Sequence, residues 1–128
     1  MAGGDWIEIL NGYSAVGDLQ FKVILRYSTI LSAKQLLLVV RQDDGSFVIA
    51  PAAEGVLLPA GWNEIETTWE TGSGTGFLAV SVNGEAEYQL TELDNDAQRL
   101  DHVRLGNVGG SLTTTLGTIE LDEFRSYP

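Results

Sequence analysis

A chain of 128 residues with a net charge of −11 and no cysteine is long enough for one domain that buries roughly two-thirds of the surface its unfolded form exposes. The missing thiols exclude disulfides and thiolate metal sites, and no run of about 20 apolar residues is present to span a membrane. The charge is lopsided: residues 51–98 hold nine acids (Glu54, Glu64, Glu66, Glu70, Glu85, Glu87, Glu92, Asp94, Asp96) and no Lys or Arg, a field that disfavours nucleic acid and anionic membranes and permits a cation or a basic protein surface.

Residues 1–6 have neither the charged nor the apolar region of a signal peptide. The chain therefore reads either as cytosolic or as a domain cut from a longer secreted protein. Asp5–Leu10 alternates Trp6, Glu8 and Leu10 against Ile7 and Ile9, a short first strand, and Asn11-Gly12-Tyr13 signals a turn. In Asp18–Tyr27, Leu19, Phe21, Val23 and Leu25 face one way and Gln20, Lys22, Ile24 and Arg26 the other. The stretch Tyr27–Ala33 fits either a bend or an irregular connection. Lys34–Gln42 has the continuous apolar centre of a strand covered on both faces. Asp43-Asp44-Gly45-Ser46 turns the chain into a short return strand at Phe47–Ala50. Pro51–Ala60, with two prolines and a glycine, predicts a loop that lays Val56 and Leu57 on a sheet edge.

The stretch Gly61–Leu90 predicts a three-stranded meander. Ile65, Thr67 and Trp69 alternate with glutamates and threonine, and the glycine-rich Thr71–Gly76 predicts a turn. Leu78, Val80 and Val82 share the next inner face, followed by Asn83-Gly84, whose residues both accept the positive φ of a type I′ hairpin. Ala86, Tyr88 and Leu90 form the third inner face. Thr91–Gln98 predicts a tight turn, with room for a single helical turn. Leu100–Asn107 is a strand with Val103 and Leu105 opposite His102 and Arg104, Val108–Thr115 a flexible connection, and Leu116–Tyr127 a last strand of unclear phase. Eight or nine short strands with little or no helix predict an all-β, antiparallel two-sheet sandwich or jelly roll over residues 1–128.

Three segments in order resemble a known family. Gly61-Trp62-Asn63-Glu64-Ile65-Glu66 with Trp69, Leu78 to Gly84, and Val103 to Gly106 with Gly117 to Phe124 resemble the motif strands of the laminin G-like and concanavalin A-like lectin/glucanase sandwiches. The resemblance covers about residues 18–125 and implies a jelly-roll fold. It also implies a lectin-like, carbohydrate-binding module of an extracellular or cell-surface protein, with calcium at loop sites in many members. Members of this kind usually carry an N-terminal strand beside the C-terminal one. Here Asp5–Leu10 fills that role or an edge lies open to self-association or to a protein partner.

The catalytic readings are thin. His102, the sole histidine, stands mid-strand with no nucleophile elbow nearby. The laminarinase-type members of the fold carry E-x-D-x-x-E on one strand. Glu120 and Asp122 fit its first two acids, but Arg125 stands where the second Glu would be, so the general acid is missing. The expectation is a non-enzymatic module. Its candidate ligand residues are Trp6, Tyr13, Trp62, Phe77 and Ser81, with Tyr27 and Phe47 as further unassigned aromatics. Ser81, Ala79 and Phe77 lie on an outer strand face between the acid rows Glu64/Glu66 and Glu85/Glu87, a shallow trough for sugar hydroxyls, a basic peptide or a neighbouring subunit. Asp43, Asp44, Asp94 and Asp96 are the dense candidate oxygen ligands for calcium, in loops that the sequence alone does not bring together.

Overall fold

The computed structural model describes residues 6–28, 32–49, 56–111, 120–122 and 124–126. Among them the chain forms nine strands and no helix: β1 (Trp6–Tyr13), β2 (Leu19–Ser28), β3 (Ala33–Arg41), β4 (Phe47–Ile49), β5 (Val56–Leu58), β6 (Ile65–Glu70), β7 (Ser73–Val82), β8 (Glu85–Asp94) and β9 (His102–Ser111). The larger sheet runs β4-β3-β2-β1-β9, with β5 also pairing β3, and the smaller runs β6-β7-β8. Every pairing is antiparallel.

Period-two alternation decides which side chains meet between the sheets. From the larger sheet come Ile7, Ile9, Phe21, Val23, Leu25, Leu36, Leu38, Val40 and Val56; from the smaller come Leu78, Val80, Val82, Leu90 and Leu93. They form one buried cluster, which makes the molecule an antiparallel β-sandwich. The unbroken apolar run of β3 is explained by its second face. Leu37 and Val39 pack with Ile24 on the outside of the larger sheet, with Trp6 against them. Leu78 and Val40 are fully enclosed, and truncating either to alanine would cost about 2–5 kcal/mol.

The Asn83-Gly84 turn forms as predicted, with φ of 54° and 83°. Val56 is buried at the edge of β3 while Leu57 is exposed, in keeping with a proline-flanked segment lying on an edge. Residues 50–55 lie outside the described residues. Several predicted boundaries are corrected. β1 does not stop at Leu10 but continues through Asn11-Gly12-Tyr13. Gly12 is needed there because a Cβ would come within 2.5 Å of the Phe21 ring. β1 pairs with β2 on one side and β9 on the other, so the N-terminal strand is internal rather than an open edge.

The segment predicted as a turn at Thr71–Gly76 is largely strand, because β7 begins at Ser73. β8 runs past Leu90 to Asp94. A bulge at Thr91-Glu92, with Glu92 at φ 57°, sets Leu93 opposite Gly76 and lets Leu90 and Leu93 both face inward. A turn at Asp96-Ala97 follows, with no helix. β9 extends through Ser111, absorbing part of the predicted connection at Val108–Thr115. Of the predicted last strand, residues 116–119, 123 and 127 lie outside the described residues, and residues 120–122 and 124–126 are not in a strand.

Candidate functional site

The outer surface of the smaller sheet holds a trough of about 500 Å³ lined by Glu66, Thr68, Ala79, Val80, Ser81, Gly84, Tyr88 and Gln89. Its position follows from side-chain size. Leu78, Val80 and Val82 of β7 point into the core, so Ala79 and Ser81 point out and leave a low floor between neighbouring strands. Glu66 and Thr68 rise from β6 on one side and Gln89 from β8 on the other. Between Val80 and Ser81 the β7–β8 register slips by one residue, a bulge that leaves one β8 backbone unit out of the ladder beside the trough.

One end of the trough is held by side-chain amides. Asn83 Nδ2 donates to Asn63 Oδ1 at 3.0 Å, Glu64 N donates to Asn83 Oδ1 at 2.9 Å, and Asn83 N donates to Glu64 O at 2.8 Å. These bonds tie the loop carrying Trp62 to the hairpin whose Gly84 lines the trough. Trp62 itself is 68% exposed.

The predicted aromatics do not share one place. Ser81 lines the trough and Phe77, half-buried, precedes it on the same strand. Trp6 belongs to the larger sheet, where it packs on Ile24, Leu37 and Val39 with Lys22 Nζ 5.7 Å above its ring. Tyr13 stacks on His102 with centroids 5.3 Å apart, and the Arg104 guanidinium lies 5.3 Å from the same ring. Phe47 lies under the Arg41 guanidinium, and Tyr27 is half-buried on β2. His102 Nδ1 is 3.0 Å from Asp101 Oδ2 and exposed. Glu120 and Asp122 are exposed and outside any strand, so the alternation that would set them on one face is not formed.

A second cluster joins the loops that the sequence left apart. Carboxylate oxygens of Asp43, Asp94 and Asp96 lie within 4.8 Å of one another. Asp43 N donates to Asp94 O at 2.8 Å, and Asp94 N donates to Gln42 Oε1 at 3.2 Å. Ala97 N and Gln98 Nε2 both donate to the Asp43 carboxylate, at 3.1 and 2.9 Å. Gln98 leads the interactions that hold Asp43 below the usual carboxylate range, helped by Asp96 and Ala97. Asp96 moves the opposite way, raised first by the hydrogen bond it shares with Asp43, then by lost hydration and by repulsion from Asp43 and Asp94. Of Asp43 and Asp96, Asp96 is thus the one that keeps its proton longer, and a cation placed among the three oxygens would take over that proton's role. Asp44, the fourth predicted ligand, lies outside the group. Its carboxylate accepts from the Ser46 hydroxyl and from Ser46 N in an Asx turn, and those bonds lower its pKa.

The chain matches no family model, no curated protein and no solved structure. Several residues of these sites carried no signal in the sequence. Gln89 is an ordinary outward residue of β8, and Gln42 and Gln98 acquire partners only because the β3–β4 turn meets the end of β8. Asn95 could have been found from its place in Asp94-Asn95-Asp96, but as a turn residue rather than as the fully buried one it is.

Proposed function

We propose that the chain is a non-catalytic, lectin-like recognition module of the jelly-roll kind that binds a neutral carbohydrate in the trough of the smaller sheet. The observation that carries this reading is the lining of that trough. Ser81 and Thr68 hydroxyls can donate or accept, the Gln89 amide does both, and Glu66 accepts. The small floor at Ala79 lets a ring lie close to the sheet. Sugar hydroxyls need this mixture of donors and acceptors, and the sugar's C–H face needs an apolar surface. Trp62, exposed on the loop tied to the Gly84 hairpin, offers such a surface. Glycoside hydrolysis needs two carboxylates about 5–9 Å apart, whereas the described lining residues include one, Glu66.

Screening the protein on a glycan array, followed by calorimetric titration of the best oligosaccharide, tests the reading. Ala79→Trp fills the floor on the solvent side and is expected to abolish binding while leaving the melting temperature in place. A blank array at high protein concentration, or binding that survives Ala79→Trp in a folded variant, rejects the trough as the ligand site.

A further inference from the structure

Among the described residues the two sheets differ in width, the larger having more strands side by side than the smaller. At the level of Trp69, the larger sheet sets Val103, Gly12, Phe21, Val40 and Val48 side by side on β9, β1, β2, β3 and β4. Among the described residues the smaller sheet sets Trp69, Leu78 and Leu90 above them. At about 4.8 Å per strand the difference is about 10 Å.

The smaller sheet is located at both sides. The end of β8 is bonded to the β3–β4 turn through Asp43 N and Asp94 O, and the Trp69 ring of β6 lies 6.1 Å from Phe21 of β2. β6 therefore stops short of β9. Exposure along the neighbouring row agrees: Val23 is 1% exposed, Leu10 is half-buried, and their partner Leu105 on β9 is 39% exposed. Leu105 lies two residues after core-packed Val103 and points to the same side.

Among the described residues β6 pairs only with β7, and its other edge has no strand partner among them. We propose that this edge is a strand-addition site for an extended, basic segment of a partner protein. An incoming strand would lie above β9, covering Leu105 and extending the shelter over Ile65. The Trp69 indole N–H, buried without an acceptor among the described residues, lies on the face such a strand would extend.

Charge selects the partner. Glu66 and Glu70 of β6 are exposed on the outer face, and no Lys or Arg occurs in residues 51–98. Lysine or arginine at every second position of the added strand stands opposite these glutamates, whereas a second copy of β6 would set glutamate against glutamate. The edge rests on main-chain groups and shares Glu66 alone with the trough, so a ladder-forming peptide reports on the edge whether or not the trough binds sugar.

The probe is a short, N-acetylated peptide alternating lysine with valine, titrated into the full chain with calorimetry and tryptophan emission as readouts. One-to-one binding is expected, weakening as salt rises. The same peptide N-methylated at every backbone nitrogen keeps the charge but loses the ladder, and is expected not to bind. Glu66→Lys combined with Glu70→Lys, folded by its melting curve, is expected to lower affinity at least about tenfold and to accept a glutamate–valine peptide instead. Absence of binding, equal binding of the N-methylated peptide, or a scattering mass that climbs to a dimer through this edge would overturn the proposal.

Discussion

Asn95 and Gly76 are coupled so closely that their mutational costs should not add. Asn95 is fully buried. Its Oδ1 accepts from Gly72 N at 3.0 Å, its Nδ2 donates to Glu70 O at 3.4 Å, and its own N donates to Gly72 O at 2.9 Å. A Cβ on Gly76 would fall inside contact distance of Asn95 Oδ1 and 3.1 Å from Glu70 O. Gly76 is not among the positive-φ residues, so alanine there is opposed by space and not by backbone conformation. Asn95→Ala leaves the Gly72 N–H without its acceptor, costing about 1–3 kcal/mol. Gly76→Ala overpacks the same spot for about 1–3 kcal/mol. In the double variant the new methyl occupies room the amide has left, so the combined loss should fall short of the sum by about 1–2 kcal/mol. Urea unfolding followed by tryptophan emission, at unchanged m value, measures all three. Costs that add to within about 0.5 kcal/mol would refute the reasoning and detach the glycine from the amide.

The Asp43, Asp94 and Asp96 oxygens predict that calcium at about 100 times its dissociation constant raises the unfolding free energy by about 2.7 kcal/mol. Asp94→Asn with Asp96→Asn should erase that rise, and a melting temperature indifferent to millimolar calcium in the parent protein counts against a cation seat. The same cluster predicts opposed pH effects. Asp43, lowered by Gln98, adds stability above its ordinary pKa that is lost as pH falls through its depressed value. Asp96, raised by Asp43, contributes most at low pH and loses that contribution as pH climbs through its elevated value. Asp96→Asn should therefore melt higher than the parent near neutrality and lose that advantage in acid; a constant gap across a pH series contradicts it. Leu78→Ala should cost about 2–5 kcal/mol while Trp62→Ala stays within about 0.5 kcal/mol, a contrast read by chemical denaturation. Equal losses would mean that Trp62 serves the fold.

Local chemistry made part of this structure legible. Asn83-Gly84 announces its hairpin because the backbone needs two positive φ angles in succession, and the alternation of Leu78, Val80 and Val82 identifies the face of β7 without help from distant residues. The apolar run at Leu36–Val40 likewise signals a strand enclosed on both sides. Thr71–Gly76 misleads for the opposite reason. Its glycines look like a loop, but Asn95, distant in sequence, supplies the polar partners and occupies the space that side chains would take. Gly12 is similar: the Phe21 ring needs the room, and that need exists only once β1 and β2 are paired. The bulge at Thr91-Glu92 shifts the phase of β8 in a way no simple period reveals. Of the sites, the small outer floor at Ala79 and Ser81 was readable from alternation, but Gln89 became a wall only through β7–β8 register. The meeting of Asp43 with Asp94 and Asp96 depends on two sheets closing on each other. The aromatic candidates separated because Trp6 and Tyr13 lie on the larger sheet, away from the β7 strand that carries Ser81.

The most direct measurement is amide chemical-shift mapping during titration with the tightest-binding neutral oligosaccharide. Saturable shifts gathered at Glu66, Thr68, Ala79, Ser81, Gly84 and Gln89, with β2 and β3 unmoved, are the expected result. Shifts confined to the outer face of the larger sheet around Tyr13 and Arg104, or none at saturating sugar, would contradict recognition in the trough.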